Sequence, residues 1–436
     1  MISTLLILGV LAQGVGPHGI GPDSIPVVTL AEALESVLAV SPDYVRSVGQ
    51  LENAEWGRRA ARLTFFVPTV TASASYQQLS TSQFNIGIGQ AASAIGSASL
   101  DARYELFAGG RKWQQAKQAT AEFDRAEAGE LGARFLAALE TERDYYGVLG
   151  ARDLLTVARQ RLTRAESQFA LARARVQGGA TVQSDSLQLL LERQRAETAV
   201  LTSEAALVVA RLQLGRRIGR AGPVDAAEPT DTVPPALTLS LEEAVQLAAS
   251  EGPAWREARA SERAAVAALK AQRGSYLPSV TLNATWSAFD NKFFPSATSR
   301  RSLGISGSWA LWNGGQREVQ MQQLAAQRDV ARVVREDLER GARHDVTEAY
   351  STYEVARRTL AIAESAVGVA AEVLRVQEAR YQAGASTVLE LLDAQTQLAV
   401  SESDLVRGRY EVRLARAALE AILGTRLSPV SDPSRP

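Results

Sequence analysis

The sequence predicts a mainly α fold with a small β part. A long, coiled-coil-like α-helical barrel is continued by a β-barrel to which each chain gives four antiparallel strands. Three observations predict it. The 436-residue chain is written twice. Each half carries two runs that alternate apolar and polar residues with period two, a strand signal. Each half also carries a proline-free stretch of helix-forming residues far longer than an ordinary globular helix.

Taken in order, the chain opens with a short apolar run from Ile2 to Ala12. Val10 and Ala12 stand at −3 and −1 of a cleavage site, so residues 1–12 read as an export signal. The first repeat covers 13–221, a linker with prolines and acids covers 222–239, the second repeat covers 240–424 and a tail covers 425–436. Four motifs recur in order at offsets of about 205 to 211 residues. Leu30-Ala31-Glu32-Ala33-Leu34 returns as Leu241-Glu242-Glu243-Ala244-Val245, and Phe66-Val67-Pro68-Thr69 as Tyr276-Leu277-Pro278-Ser279. Leu106-Phe107-Ala108-Gly109-Gly110 returns as Leu311-Trp312-Asn313-Gly314-Gly315, and Gly179-Ala180-Thr181 as Gly384-Ala385-Ser386.

The alternation places hairpins over 68–107 and 278–313. Val70, Ala72, Ala74 and Tyr76 share one face of the first strand, and Ala98, Leu100, Ala102, Tyr104 and Leu106 one face of its partner. Val280, Leu282, Ala284 and Trp286 do the same in the second half, followed by Leu303, Ile305, Trp309 and Leu311. Each run is about the 9–11 residues that a tilted strand needs to cross a bilayer, with aromatic residues near the ends. The segments Leu79 to Gly96 and Phe289 to Arg301, rich in Ser, Gln, Gly and Asn, read as exposed loops. From Gly110 to Val176 and from Gly315 to Tyr381 the composition gives helices of roughly 100 Å at 1.5 Å per residue. In the last helix Leu391, Leu398, Leu405, Val412 and Leu419 recur every seventh residue, with mostly small residues three positions later. That seam predicts close, coiled-coil-like packing. Gln177–Thr181 and Gln382–Ser386 are turns between the helices of each half. The glycines 178, 179 and 384 supply φ > 0 there, as the paired glycines 109–110 and 314–315 do at strand-to-helix bends.

Composition excludes much. The 47 basic and 48 acidic residues leave a net charge of −1, which argues against a nucleic-acid partner bound through a basic surface. Cysteine is absent and only two histidines occur, which removes thiol chemistry and metal centres built on thiolates or several histidines. Glu228 and Asp231 lie in the linker without a nucleophile or histidine beside them, so neither an enzyme nor a cofactor is expected. Four strands cannot close a barrel, since the smallest bacterial barrels have about eight. Each bare N–H or C=O on a sheet edge costs several kcal/mol in hydrocarbon, so several chains must share one barrel, with outer-membrane lipid around it. The length of the helical part favours three chains over two.

At this point the sequence resembles the TolC family of outer-membrane efflux proteins over nearly its whole length. Pro68 and Pro278 stand where that family's chain enters the barrel, and the pairs Gly109-Gly110 and Gly314-Gly315 where it leaves. Tyr381-Gln382-Ala383-Gly384-Ala385-Ser386 and the following Thr387 to Ala394 resemble its second-half periplasmic turn. The resemblance implies a homotrimer with a 12-stranded barrel and a 12-helix tunnel. It also implies a periplasmic adaptor and an inner-membrane transporter as partners, and drugs, metals or secreted polypeptides as cargo. A pore-less periplasmic coiled-coil scaffold is the competing reading; it explains the helices but not the hairpins.

The resemblance also assigns residues. Glu390 and Asp393 match two acidic positions at the constricted periplasmic mouth, where threefold symmetry would gather six carboxylates. Asp185 is the matching acid of the first half. Tyr381 matches a tyrosine that helps hold the mouth shut, which suggests a Tyr381–Asp185 lock. Ser386 stands where the best-known pattern has arginine, and a serine cannot make a bidentate ion pair, so any lock here is expected to be weaker or to be carried by Arg175 and Arg380 nearby. The turns Gly178, Gly179, Ala180 and Thr181, and Ala383, Gly384 and Ala385, would dock the adaptor.

Overall fold

The computed structural model describes residues 25–86, 89–179, 182–229, 237, 239–291 and 298–427. The export signal at 1–12, residues 230–236 and 238 of the linker, residues 428–436 of the tail, and Ala180 and Thr181 lie outside the described residues. The chain runs β1 (Val27–Val28), α1 (Leu30–Val40), α2 (Pro42–Leu63), β2 (Thr69–Asn85), β3 (Gln90–Ala108), α3 (Arg111–Gln177) and α4 (Gln183–Arg217). It continues with β4 (Asp225–Ala226), α5 (Leu241–Glu251), α6 (Pro253–Arg273), β5 (Ser279–Asp290), β6 (Thr298–Ser308), α7 (Gln316–Gln382) and α8 (Val388–Leu423). The fold is mainly helical with one four-stranded antiparallel sheet, as the patterning predicts. No helix among the described residues is long and apolar enough to cross a membrane.

Of the described residues, those in Leu38–Glu140, Val233–Ile362 and Glu411–Pro436 pack as one compact unit. It holds the sheet, ordered β2-β3-β5-β6. The register aligns like with like: Val70, Ala102, Ala284 and Leu303 follow one another across the strands, and so do Thr71, Asp101, Thr285 and Ser302. The polar face is tied by side chains. Thr285 Oγ1 donates to Asp101 at 2.8 Å, and Asn283 Nδ2 donates to Ser306 Oγ at 2.9 Å. The apolar face is bare, with Leu303 74% and Ile305 71% exposed, whereas a domain stable in water would bury such residues. In this sheet β2 and β6 are edges, each paired on one side only.

The strands depart from the sequence reading in three places, one of them the segment from Phe289 to Arg301, read as a loop, where β5 runs to Asp290 and β6 begins at Thr298. β2 runs to Asn85 and β3 starts at Gln90, so most of the segment read as a loop from Leu79 to Gly96 is strand. Pairing resumes past an irregularity between Gln78 and Gln83, with Gln83 opposite Ala92. Backbone hydrogen bonds hold a ladder whatever the side-chain pattern, and here Gln83 and Phe84 face Ala92 and Ala91 without apolar–polar alternation, which is why composition hid it. β6 ends at Ser308, leaving Trp309, Leu311 and Trp312 beyond the strand, although the hairpin was read to 313.

Pro68 and Pro278 directly precede β2 and β5. Gly109, Gly110, Gly314 and Gly315 all have positive φ, which lets the chain bend from strand to helix. Gly109 is doubly fixed, because a Cβ there would collide with the carbonyl oxygen of Gly274. In the same unit Ser240 and Glu243 form a complete capping box at the start of α5.

Of the described residues, those in Met1–Val37, Thr141–Thr232 and Ala363–Tyr410 pack as a second unit. There β1 pairs with β4 in a two-residue parallel bridge. Tyr145, fully buried, donates its hydroxyl to the carbonyl of Ala227 at 2.7 Å. Burial pushes its phenol up to about 12. Leu391 and Leu398 of the heptad seam are buried here, in a cluster with Ala172, Leu189, Leu374, Tyr381 and Val388.

Candidate functional site

The residues singled out by sequence converge on two helix-to-helix turns of this second unit, α3 to α4 and α7 to α8. α7 closes in a Schellman motif: Ala385 N–H donates to Arg380 O at 2.8 Å and Gly384 N–H to Tyr381 O at 3.0 Å. Gly384 takes φ +73 to make this possible, and Gly179 takes φ +69 at the end of α3. Gly178 does not behave as expected. It is not among the positive-φ glycines, because its N–H continues the helical pattern to Ala174 O at 3.0 Å. Only the second glycine of the pair has to turn the chain.

Beyond the turns the helices restart differently. At α8, Thr387 Oγ1 accepts from Glu390 N–H at 3.3 Å and donates to the Glu390 carboxylate at 3.3 Å. Thr-x-x-Glu is a helix-start pattern readable in the sequence, yet the sequence reading overlooked Thr387. At α4 the corresponding residue is Val182, which offers no side-chain cap. Glu390 and Asp393 are exposed, and Asp185 in the first turn of α4 is half-buried.

Two arginines organise the turns. Arg380 reaches the Ala385 carbonyl at 3.2 Å and the Glu390 carboxylate at 3.6 Å, closing its own loop. Arg175 crosses to the other coil, donating to Tyr381 O at 2.8 Å while its guanidinium lies 5.5 Å from the centre of the Tyr381 ring. Higher up, Arg164 grips both carboxylate oxygens of Glu402 at 3.3 and 2.9 Å, and Gln168 donates to Glu378 at 3.1 Å. Neither contact was visible in the sequence, because they join residues more than 200 positions apart.

The Tyr381–Asp185 hydrogen bond suggested by sequence is not formed within the chain. The Tyr381 hydroxyl is buried and has no hydrogen-bond partner. Its ring is drawn into the apolar cluster and its backbone is held by Arg175. Burial raises the phenol's pKa above its ordinary value; the nearby Asp185 charge raises it further, and Arg175 opposes both. Ser386 Oγ is also buried without a partner. Among the described residues, no group of three or more His, Cys, Asp or Glu could hold a metal ion.

The arrangement has documented relatives. The Outer membrane efflux protein BepC of Brucella suis is 24% identical over 281 residues, 63% of this chain and 60% of that protein. The Outer membrane protein OprJ of Pseudomonas aeruginosa is 24% identical over 330 residues, 74% of this chain and 68% of that one. The crystal structure of the outer membrane protein VceC of Vibrio cholerae superposes with a TM-score of 0.77 at 20% identity, over 92% of this chain and 97% of that one. The family described as Outer membrane efflux protein matches residues 33–220 and 244–425, one segment on each side of the linker. With most of its length accounted for in that way, the chain belongs to the outer membrane efflux protein family.

Proposed function

We propose that the protein is the outer-membrane channel of a tripartite export system: a passive homotrimeric conduit, working with a periplasmic adaptor and an inner-membrane transporter. The observation that carries this reading is the sheet. Its apolar face is exposed, its polar face is cross-linked, and its two edges are unpaired. In hydrocarbon such edges must pair, and β2 of one copy meeting β6 of the next closes a ring. Three copies give twelve strands with Asp101, Arg103 and Asn283 towards a wet lumen. The chain's similarity to BepC, an outer membrane efflux protein, and to OprJ, an outer membrane protein, supports the same reading.

In this reading the two turns form the periplasmic mouth. Glu390 and Asp393 of three copies gather six carboxylates, which repel one another and favour cations. Gly178, Gly179, Ala383, Gly384 and Ala385 leave the turn surface low enough for an adaptor's helices to approach, as do Ala180 and Thr181 by sequence. Arg175, rather than a residue at Ser386, holds one coil to the other, and Arg380 closes its own turn. The test is to extract the full-length protein, measure its oligomeric state and record conductance in planar bilayers. A trimer whose cation selectivity falls in Glu390→Gln/Asp393→Asn is expected. A monodisperse single chain, soluble without detergent and without conductance, would overturn the reading in favour of a scaffold.

A further inference from the structure

Beneath the sheet, where α2 ends and α3 begins, lies a cleft of about 880 Å³ shared with α6. Its walls are apolar, including Phe66 at 83% and Trp113 at 60% exposure together with Val266. Its rim carries Arg62, Lys117 and Lys270. None of these three has an ion-pair partner among the described residues, and the Lys117 ammonium lies 5.4 Å from the centre of the Trp113 ring; the rim's Arg263, by contrast, is paired with Asp124 at 3.0 Å and its Glu262 with Arg335 at 2.6 Å. Lysine is otherwise scarce. The chain has four, and three of them, Lys112, Lys117 and Lys270, fall at this level. Lys112 is spent internally, donating to Thr64 O at 3.0 Å and lying 4.6 Å from the centre of the Tyr104 ring.

The cleft opens on a definite side. Arg111 pairs with Glu105, on the polar face of β3. At about 100° of rotation per residue, Trp113, Lys117 and Thr120 stand about 200°, 240° and 180° round α3 from Arg111, hence on the opposite face. That is the side of the apolar strand face, to which Tyr104 belongs; its hydroxyl donates at 2.6 Å to the carbonyl of Phe65, another lining residue. Aromatic side chains with unpaired lysines beside them, at the foot of an apolar strand face, form an interface-type site.

We propose that this cleft seats an anionic phospholipid of the periplasmic leaflet, an inference that rests on the outer-membrane reading above. The phosphate lies among Arg62, Lys117 and Lys270, and an acyl chain lies along Phe66, Trp113 and Val266. Unpaired ammonium and guanidinium groups beside an apolar wall complement a phosphate attached to hydrocarbon. A free phosphate would leave the wall bare.

The test uses the full-length trimer in nanodiscs, with phosphatidylglycerol titrated against phosphatidylethanolamine and the retained lipid read by native mass spectrometry. Wild type is expected to retain phosphatidylglycerol preferentially. Each cation removed should weaken retention about fivefold, so Lys117→Ala/Lys270→Ala weakens it roughly 25-fold while the trimer and its conductance persist. Unchanged retention in that variant, or equal retention of both lipids by wild type, overturns the proposal and leaves the channel reading standing. Loss of the trimer on substitution assigns the cleft to a neighbouring copy and overturns it as well. A wild-type chain that never inserts into a bilayer sinks the channel reading itself, and this inference with it.

Discussion

The two helical turns occupy corresponding places in a duplicated chain, 205 residues apart, yet they are held in different ways. Gly179 and Gly384 take the same left-handed conformation, and both helices end with an i→i−3 bond from that glycine. The differences begin one step outwards. Thr387 caps α8 while Val182 leaves α4 uncapped. Arg380 folds back on its own turn, whereas Arg175, its counterpart, reaches across to Tyr381. The α7/α8 turn is therefore closed by its own residues, and the α3/α4 turn contributes its arginine to its neighbour. Duplication set the backbone, and a few unmatched side chains decide which coil holds which. Amides at 182–186 should accordingly exchange faster than those at 387–391.

The comparison breaks most severely at Arg175. A hydrogen bond from a charged donor contributes about 1.5–3 kcal/mol, and removing it leaves the Tyr381 carbonyl with only the Gly384 N–H. Arg175→Ala should lower the protection of the α7/α8 turn by about 2 kcal/mol in hydrogen exchange. Arg380→Ala, whose contacts are exposed, should cost under about 1 kcal/mol. The glycines come next. Gly384→Ala places a side chain at φ +73 and should cost about 1–2 kcal/mol through the backbone alone, since no atom lies within 4 Å of the added Cβ. Gly178→Ala, in an ordinary helical position, should be neutral within about 0.5 kcal/mol or slightly stabilising. If the two glycine variants behave alike, the distinction between the paired glycines is wrong. Smaller still is the cap: Thr387→Ala should cost about 1 kcal/mol, and Val182→Thr should return a similar amount to the other turn. That pair of substitutions would make the two turns exchange at similar rates.

The fold was legible because period-two and heptad patterns survive in single residues such as Leu282, Ile305, Leu391 and Leu398. What stayed hidden had no side-chain signature. The outer ends of β2 and β3 pair through backbone groups, with Gln78, Gln83 and Asn85 opposite Ala94, Ala92 and Gln90, so no period-two alternation marked them and they read as a loop. Gly178 and Gly179 are identical letters, and only the hydrogen bond to Ala174 tells which is helical. At the turns, sequence brought Tyr381, Asp185 and both arginines to one place, but it did not show that Arg175 would reach the Tyr381 carbonyl while the Tyr381 hydroxyl stays without a partner within the chain. Tyr381 is buried in one cluster with Leu189 and Val388, which lie on other helices. Partner choice between distant residues is a property of the packed state, and a linear pattern carries little of it.

The finest test of the asymmetry is titration. Only the α7/α8 turn has a buried tyrosine; the corresponding position in the other turn is Val176. Burial and the Asp185 charge raise the folded-state pKa of Tyr381 above its unfolded value. Between those two values the unfolded chain has lost the phenolic proton and the folded chain still holds it, so stability falls as pH rises. The contribution is complete below the ordinary tyrosine pKa, near 10, and is lost as pH climbs through the raised one. Protection of amides 382–391 should therefore decline above about pH 10 by more than the general alkaline loss seen at 172–179. Tyr381→Phe should remove that excess. It should also leave the turn at least as stable at neutral pH, because the hydroxyl it deletes has no hydrogen-bond partner. A phenylalanine variant that is markedly less stable at pH 7 would mean that the hydroxyl finds a partner in the proposed trimer, and the lock suggested by sequence would then be formed between copies rather than within one.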